Sequence, residues 1–157
     1  MIGKKSLSLL ALLGLLGLVG AAWLDAVAAE NALFGKWQIA DAAVAPWASK
    51  PKGPSAETRK LLNLQMTFAA KTMKSNYPTL NCNDASFEVQ SDPPDVLFQG
   101  ALSEPNQASV GESMGFRRGD VPSVEVNCSS GDFPFHFRDA GTVLFALNDV
   151  IYTLKRR

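Results

Sequence analysis

Histidine is almost missing from this chain: His136 stands alone among 157 residues, and Cys82 and Cys128 are the only thiols. A structural zinc centre takes four such ligands, more than these three residues supply. No calcium-loop pattern, Gly-rich phosphate loop or G-x-S-x-G motif occurs. No cofactor and no metal are therefore expected. An excess of one charge is also lacking, with 15 Lys plus Arg against 15 Asp plus Glu. A nucleic-acid partner needs a basic face, and an anionic membrane surface needs the same. No two acids are brought together by local spacing, so paired-carboxylate glycosidase chemistry has no support.

What is present begins with the N-terminus. Lys4 and Lys5 precede "SLSLLALLGLLGLVGAAWL", then Asp25 and "AVAA". A positive start, an apolar middle and a small-residue exit make an export signal. Ala26-Val27-Ala28 fits the A-x-A rule, with the cut after Ala28 or Ala29. Residues 1–28 are expected to be a cleaved signal and residues 29–157 one domain. The apolar run, about 19 residues, could alternatively be retained as an anchor. No cysteine adjoins the cut, so lipid modification is not expected. The chain is therefore expected in the periplasm or secreted, with no stable membrane insertion once the signal is removed. Removing Lys4, Lys5 and Asp25 leaves 13 basic and 14 acidic residues.

In that oxidising compartment an even cysteine count reads as one disulfide, Cys82 to Cys128. A redox pair would more often be C-x-x-C. The bridge closes a loop of about 47 residues, stabilising by at most about 4 kcal/mol in the loop-entropy treatment.

Period-two alternation dominates the rest. Strand one is expected over 37–43. Strand two is expected over 64–71, with Leu64, Met66, Phe68 and Ala70 on one side. Phe87 and Val89 mark another strand. Four more follow: Val124 to Cys128, Phe133 to Phe137, "TVLFAL" and "VIYTLK", the last two joined at Asn148-Asp149, which suits a tight hairpin. One apolar side per strand implies one buried face. The best helix is "PSAETRKLLN", with Ser55 as N-cap, Glu57 in the first turn and Asn63 as stop. "SDPPDVLFQG" suits a short turn with Asp92 as cap and Gly100 as terminator. "SEPNQASVGESMGFRRGD" is a long polar loop. The fold class is mainly β: a small antiparallel meander, closed or nearly closed into a barrel, with one short helix after strand one.

Gly35-Lys36-Trp37 resembles the Gly-x-Trp on the first strand of lipocalins and related calycin barrels. "FGKWQI" is also similar to the start of the fatty-acid-binding branch, where a helical lid follows strand one. The resemblance implies that Trp37 closes one barrel end and that a late arginine lies across its ring. Arg156 is the matching residue and Arg157 the second choice. The physics is general: Gly35 permits close approach, the indole fills a narrow end, and a guanidinium on its face adds about 0.5–2 kcal/mol. Trp37 as ordinary core is the alternative. The aspartate-containing second lipocalin motif is not recognisable, and no inward Arg-x-Tyr clamp can be assigned.

Candidate sites are few. His136, with Arg138 and Asp139 nearby, could be a general base oriented by Asp139, or it could sit on the solvated face of its strand. Trp47 lies on a basic, Pro-rich loop with Lys50 and Lys52, suited to an anionic or sugar-like ligand or to a partner protein. Trp47 could equally plug the open barrel end. Phe116, Arg117 and Arg118 form a second cluster. With no catalytic set, the expected function is non-catalytic binding of a small apolar or amphipathic ligand. The alternative is a periplasmic protein-binding or inhibitory module, which periplasmic lysozyme inhibitors resemble in size, β content and single disulfide. An enclosed cavity of about 300 Å³ or more favours the first, and a filled interior the second.

Overall fold

The computed structural model describes residues 31–49, 55–102 and 106–157. The expected signal, residues 1–28, lies outside them. The strands are β1 (Gly35–Val44), β2 (Gln65–Ala69), β3 (Thr72–Ser75), β4 (Ser86–Asp92), β5 (Val121–Cys128), β6 (Gly131–Asp139), β7 (Thr142–Leu147) and β8 (Val150–Arg156). Short helical pieces lie between them: α1 (Ala56–Leu61), α2 (Leu97–Gly100) and α3 (Gln107–Ser113).

Every pairing is antiparallel, in the order β3-β2-β1-β8-β7-β6-β5-β4. The last strand returns to the first, and β3 and β4 are left as edges. The chain just before β4 bridges the gap. Met73 and Cys82 exchange hydrogen bonds of 3.0 and 2.7 Å, and the Ala85 N–H reaches the Lys71 carbonyl at 3.0 Å. The result is a mainly β, nearly closed eight-stranded barrel, as the strand pattern implies. Cys82 and Cys128 form a disulfide with a Cα–Cα separation of 5.9 Å, within the usual span. It ties the bridging segment to the end of β5.

Local chemistry explains the joints. Asn148 (φ 50°) and Asp149 (φ 59°) both take left-handed backbone, as a two-residue type I′ hairpin requires. Ser55 Oγ accepts from the Thr58 N–H at 3.0 Å, capping α1, and Asn63 (φ 67°) ends that turn. One segment differs from expectation. The single strand expected over 64–71 is a hairpin, β2 and β3, turning at Ala70-Lys71. Neither residue carries turn chemistry, so the bend was silent in the sequence.

Trp37, Ile39, Met66, Phe68, Val124, Val126, Phe135, Val143, Phe145, Tyr152 and Leu154 point into the barrel. Phe68 and Phe135 meet at 5.0 Å, although β2 and β6 are not neighbours in the sheet. Their rings therefore touch across the lumen. Phe135 continues to Phe145 at 5.3 Å and Phe145 to Tyr152 at 5.3 Å. None of the four is more than 2 % exposed. The lumen is filled at this level.

The expectation of one buried face per strand fails for β5 to β8. Val121, Ser123, His136, Leu144 and Ile151 are buried on the outer side. Residues 93–102 and 106–118, called the cover below, pack there through Leu97, Phe98, Leu102 and Phe116. The segment before the long polar loop supplies Leu97, Phe98 and Leu102 and the loop itself supplies Phe116, so together they form a second layer.

Candidate functional site

At one barrel end Trp37 and Arg156 are register partners across β1 and β8. The Arg156 guanidinium carbon lies 4.5 Å from the Trp37 ring centroid. The indole N–H donates to the Leu33 carbonyl at 2.7 Å. Arg156 Nη1 donates to the Phe34 carbonyl at 3.0 Å, and Nη2 donates to the Ala32 carbonyl. Gly35 takes φ +115°, and a Cβ there would lie 3.3 Å from Arg156 Nη1. Glycine is therefore needed for both backbone angle and room. Arg157 contributes only its backbone N–H, to Lys36 O at 2.9 Å. Arg156→Ala is expected to lower stability by about 0.5–1 kcal/mol, the value of an exposed cation–π contact. Urea unfolding measures this, and Arg156→Lys should recover only part, lacking the planar fork.

His136 corrects both sequence readings. It is neither solvated nor paired with Asp139, whose Oδ1 accepts from the Gly141 N–H at 2.8 Å. It is 1 % exposed beneath the cover. Its Nε2 accepts the Phe98 N–H at 3.1 Å, so the ring proton resides on Nδ1. Nδ1 lies 2.7 Å from Ser123 Oγ and 3.6 Å from Asp92 Oδ2. Ser123 Oγ donates onward to the Val121 carbonyl at 3.2 Å. Asp92 is thus not the helix cap expected from sequence; it closes β4 against the imidazole. The hydrogen bond from His136 holds the Asp92 carboxyl below its ordinary range, against the opposing effect of burial, with Ser123 assisting.

Ser, His and Asp together invite comparison with a hydrolytic triad. The geometry differs, because serine and aspartate both lie on Nδ1 while a backbone donor occupies Nε2. A proton relay needs them on opposite nitrogens. Instead the trio anchors the cover. Phe98 (φ 53°, ψ 43°) and Gln99 (φ 60°, ψ 37°) are successive left-handed residues without glycine. Each costs roughly 1–2 kcal/mol. The Phe98 hydrogen bond, its buried ring and the 4.7 Å edge contact with the His136 ring offset that cost.

The two aromatic and cationic clusters converge on Phe98. Trp47 is half-buried against the cover, 5.5 Å from the Phe98 ring, and Phe116 is 6.3 Å from the same ring. Phe116 is buried, so it supports the cover rather than offering a face to a ligand. Lys50 and Lys52 lie outside the described residues. Arg117 and Arg118 are exposed at the end of the cover, where they border a cleft of about 480 Å³. Val121, Pro122 and Phe137 give the cleft apolar walls, and Arg138 adds a third guanidinium.

Arg138 reaches this cleft because it is the extra residue of a bulge. Phe137 pairs with Val143 and Asp139 with Thr142, leaving Arg138 unmatched. Its stem crosses Gly115 (φ +88°), where a Cβ would come within 2.7 Å of Arg138 Cδ. Arg138 Nη1 donates to the Met114 carbonyl at 3.4 Å, and Arg118 pairs with Glu112 at 2.8 Å. Arg117 alone of the three has no hydrogen bond or ion pair among the described residues. Asp120 and Asp139 also border the cleft, leaving it one positive charge in excess. Sequence reasoning found Arg117 and Arg118 but missed Phe137 and Arg138 as partners, since the bulge has no sequence mark.

A smaller cavity of about 230 Å³ lies beneath α1, bordered by Thr58, Leu61, Asn148 and Tyr152. Among the described residues no group of three His, Cys, Asp or Glu could hold a metal ion. No helix among them is long and apolar enough to cross a membrane. Compared with known proteins, the chain matches no family model, no curated protein and no solved structure.

Proposed function

We propose that the protein is an exported, non-catalytic binding protein that takes a small amphipathic anion in the outer cleft, not in the lumen. The carrying observation is the cleft itself: about 480 Å³, apolar at Val121, Pro122 and Phe137, with Arg117 unpartnered among the described residues. That volume falls in the range of small-molecule sites. The guanidinium supplies a charge-assisted fork for a carboxylate, sulfonate or phosphate head. The calycin-like barrel serves as scaffold, since aromatic rings occupy its lumen. The disulfide and the signal-like N-terminus support residence in the periplasm or outside the cell.

Calorimetric titration with octanesulfonate tests this. The anion is expected to bind, and octyl glucoside, with the same tail and no charge, to bind more weakly. Arg117→Ala should weaken octanesulfonate about fivefold, the scale of one partly exposed charge pair. Lys71→Ala, in the β2–β3 turn, should change nothing. Equal affinity for both amphiphiles, or an Arg117→Ala protein that binds normally, removes the reading.

The filled lumen favours a second reading, a periplasmic module that binds or inhibits a protein through the cover and Trp47. Inhibition of lysozyme that is abolished by Trp47→Ala would support it.

A further inference from the structure

Among the described residues two polar contacts join the cover to the barrel: Phe98 N–H to His136 Nε2, and Arg138 Nη1 to Met114 O. The first depends on a neutral imidazole. Its Nε2 can accept from Phe98 only while it lacks a proton. A proton added there sets N–H against N–H in a buried site, and the Phe98 donor loses its acceptor. The backbone at Phe98 and Gln99, already left-handed, then has one fewer contact holding it.

The groups around the ring favour the charge on the barrel side. Asp92, from β4, lies 3.6 Å from Nδ1. Ser123 from β5 and Leu144 from β7, opposite His136, are uncharged. The cover presents only the Phe98 and Phe116 rings. Arg138, further along β6, is turned to Met114 O. An imidazolium therefore keeps an anion on one nitrogen while it loses its partner on the other. Asp92 stays ionised throughout this change. Its carboxyl is lowered from 3.8, so its contribution is present above that pH and is lost only as pH falls below it.

We propose that His136 is an acid-sensitive latch: its protonation detaches the cover at Phe98 and releases the anion held in the cleft that Arg117 and Arg118 border. The release of ligand rests on the cleft reading above; the unlatching does not. Imidazoles change charge between about pH 5 and 8, well above the loss of Asp92.

Because the chain has one histidine, its ring C2 proton is read without ambiguity by NMR. The full protein is titrated from pH 8 to 5.5, following that proton, the Phe98 amide, Trp47 emission and octanesulfonate affinity. The Phe98 amide is expected to shift with the ring, and its hydrogen exchange, corrected for the pH dependence of intrinsic rates, to rise at least tenfold. Trp47 emission moves to the red and octanesulfonate affinity falls at least fivefold. His136→Gln, a neutral acceptor at every pH, loses all four changes.

A ring that titrates while the Phe98 amide stays still, or a ring that never titrates, overturns the latch. So does the same pH response in His136→Gln. Should that variant not fold, the paired ring and amide titrations of the wild type decide alone. Absence of octanesulfonate binding at pH 8 defeats the cleft reading, while the Phe98 titration still decides the latch.

Discussion

Trp37→Ala lowers the free energy of unfolding by about 3–5 kcal/mol, as measured by urea denaturation. Four losses combine at this residue. The indole is fully buried, so its removal leaves a void that neighbouring strands cannot collapse into without distorting their ladders. The Leu33 carbonyl loses its donor at 2.7 Å. Arg156 loses the ring beneath it, and Trp37 also meets Phe137 edge-on at 6.5 Å. Trp37→Phe restores the aromatic contacts but not the hydrogen bond, and should recover more than half of the loss. A cost below 1 kcal/mol for the alanine variant would mean that this barrel end is held by something else.

Replacing both cysteines by serine is expected to cost about 4 kcal/mol. The bridge spans 46 positions, so it strongly restricts the unfolded chain. Its position adds a native-state effect. Cys82 belongs to the bridging segment that stands in for a missing β3–β4 ladder, and that segment is joined by two backbone hydrogen bonds to Met73 of β3 and by one to Lys71 in the β2–β3 turn. Without the covalent tie it should open first. Hydrogen exchange at positions 82 and 85 is expected to accelerate more than at Phe135 or Leu154. Uniform acceleration would show that the bridge acts through the unfolded chain alone. A double variant as stable as the wild type would contradict both accounts.

Some of this was legible in the sequence. Alternation grouped Met66 with Phe68, Val124 with Val126 and Phe135 with Phe137, the inward residues of β2, β5 and β6, because in-out patterning reports a strand's core side directly. Asn148-Asp149 announced its hairpin, since those residues tolerate left-handed backbone. Gly35, Trp37 and Arg156 could be named together, and the β1–β8 register sets the last two side by side. What stayed hidden depended on tertiary packing. The Ala70-Lys71 bend has neutral turn chemistry. The outer layer could not be foreseen, because Leu97, Phe98 and Phe116 are scattered among polar residues and obey no period. Burial of His136 follows only once that layer is laid down. Asp92 read as a cap because aspartate before proline usually is one. The left-handed Phe98 and Gln99 run against residue preference, and only the fold enforces them.

The union of β1 with β8 has a consequence for how the molecule is assembled. The ring shuts by joining segments more than a hundred positions apart in sequence, the costliest loop to close and among the slowest. Until β8 arrives, β1 offers one bare flank of amides and carbonyls, a template for adhesion to other chains. Any copy interrupted before that strand is therefore sticky rather than merely short.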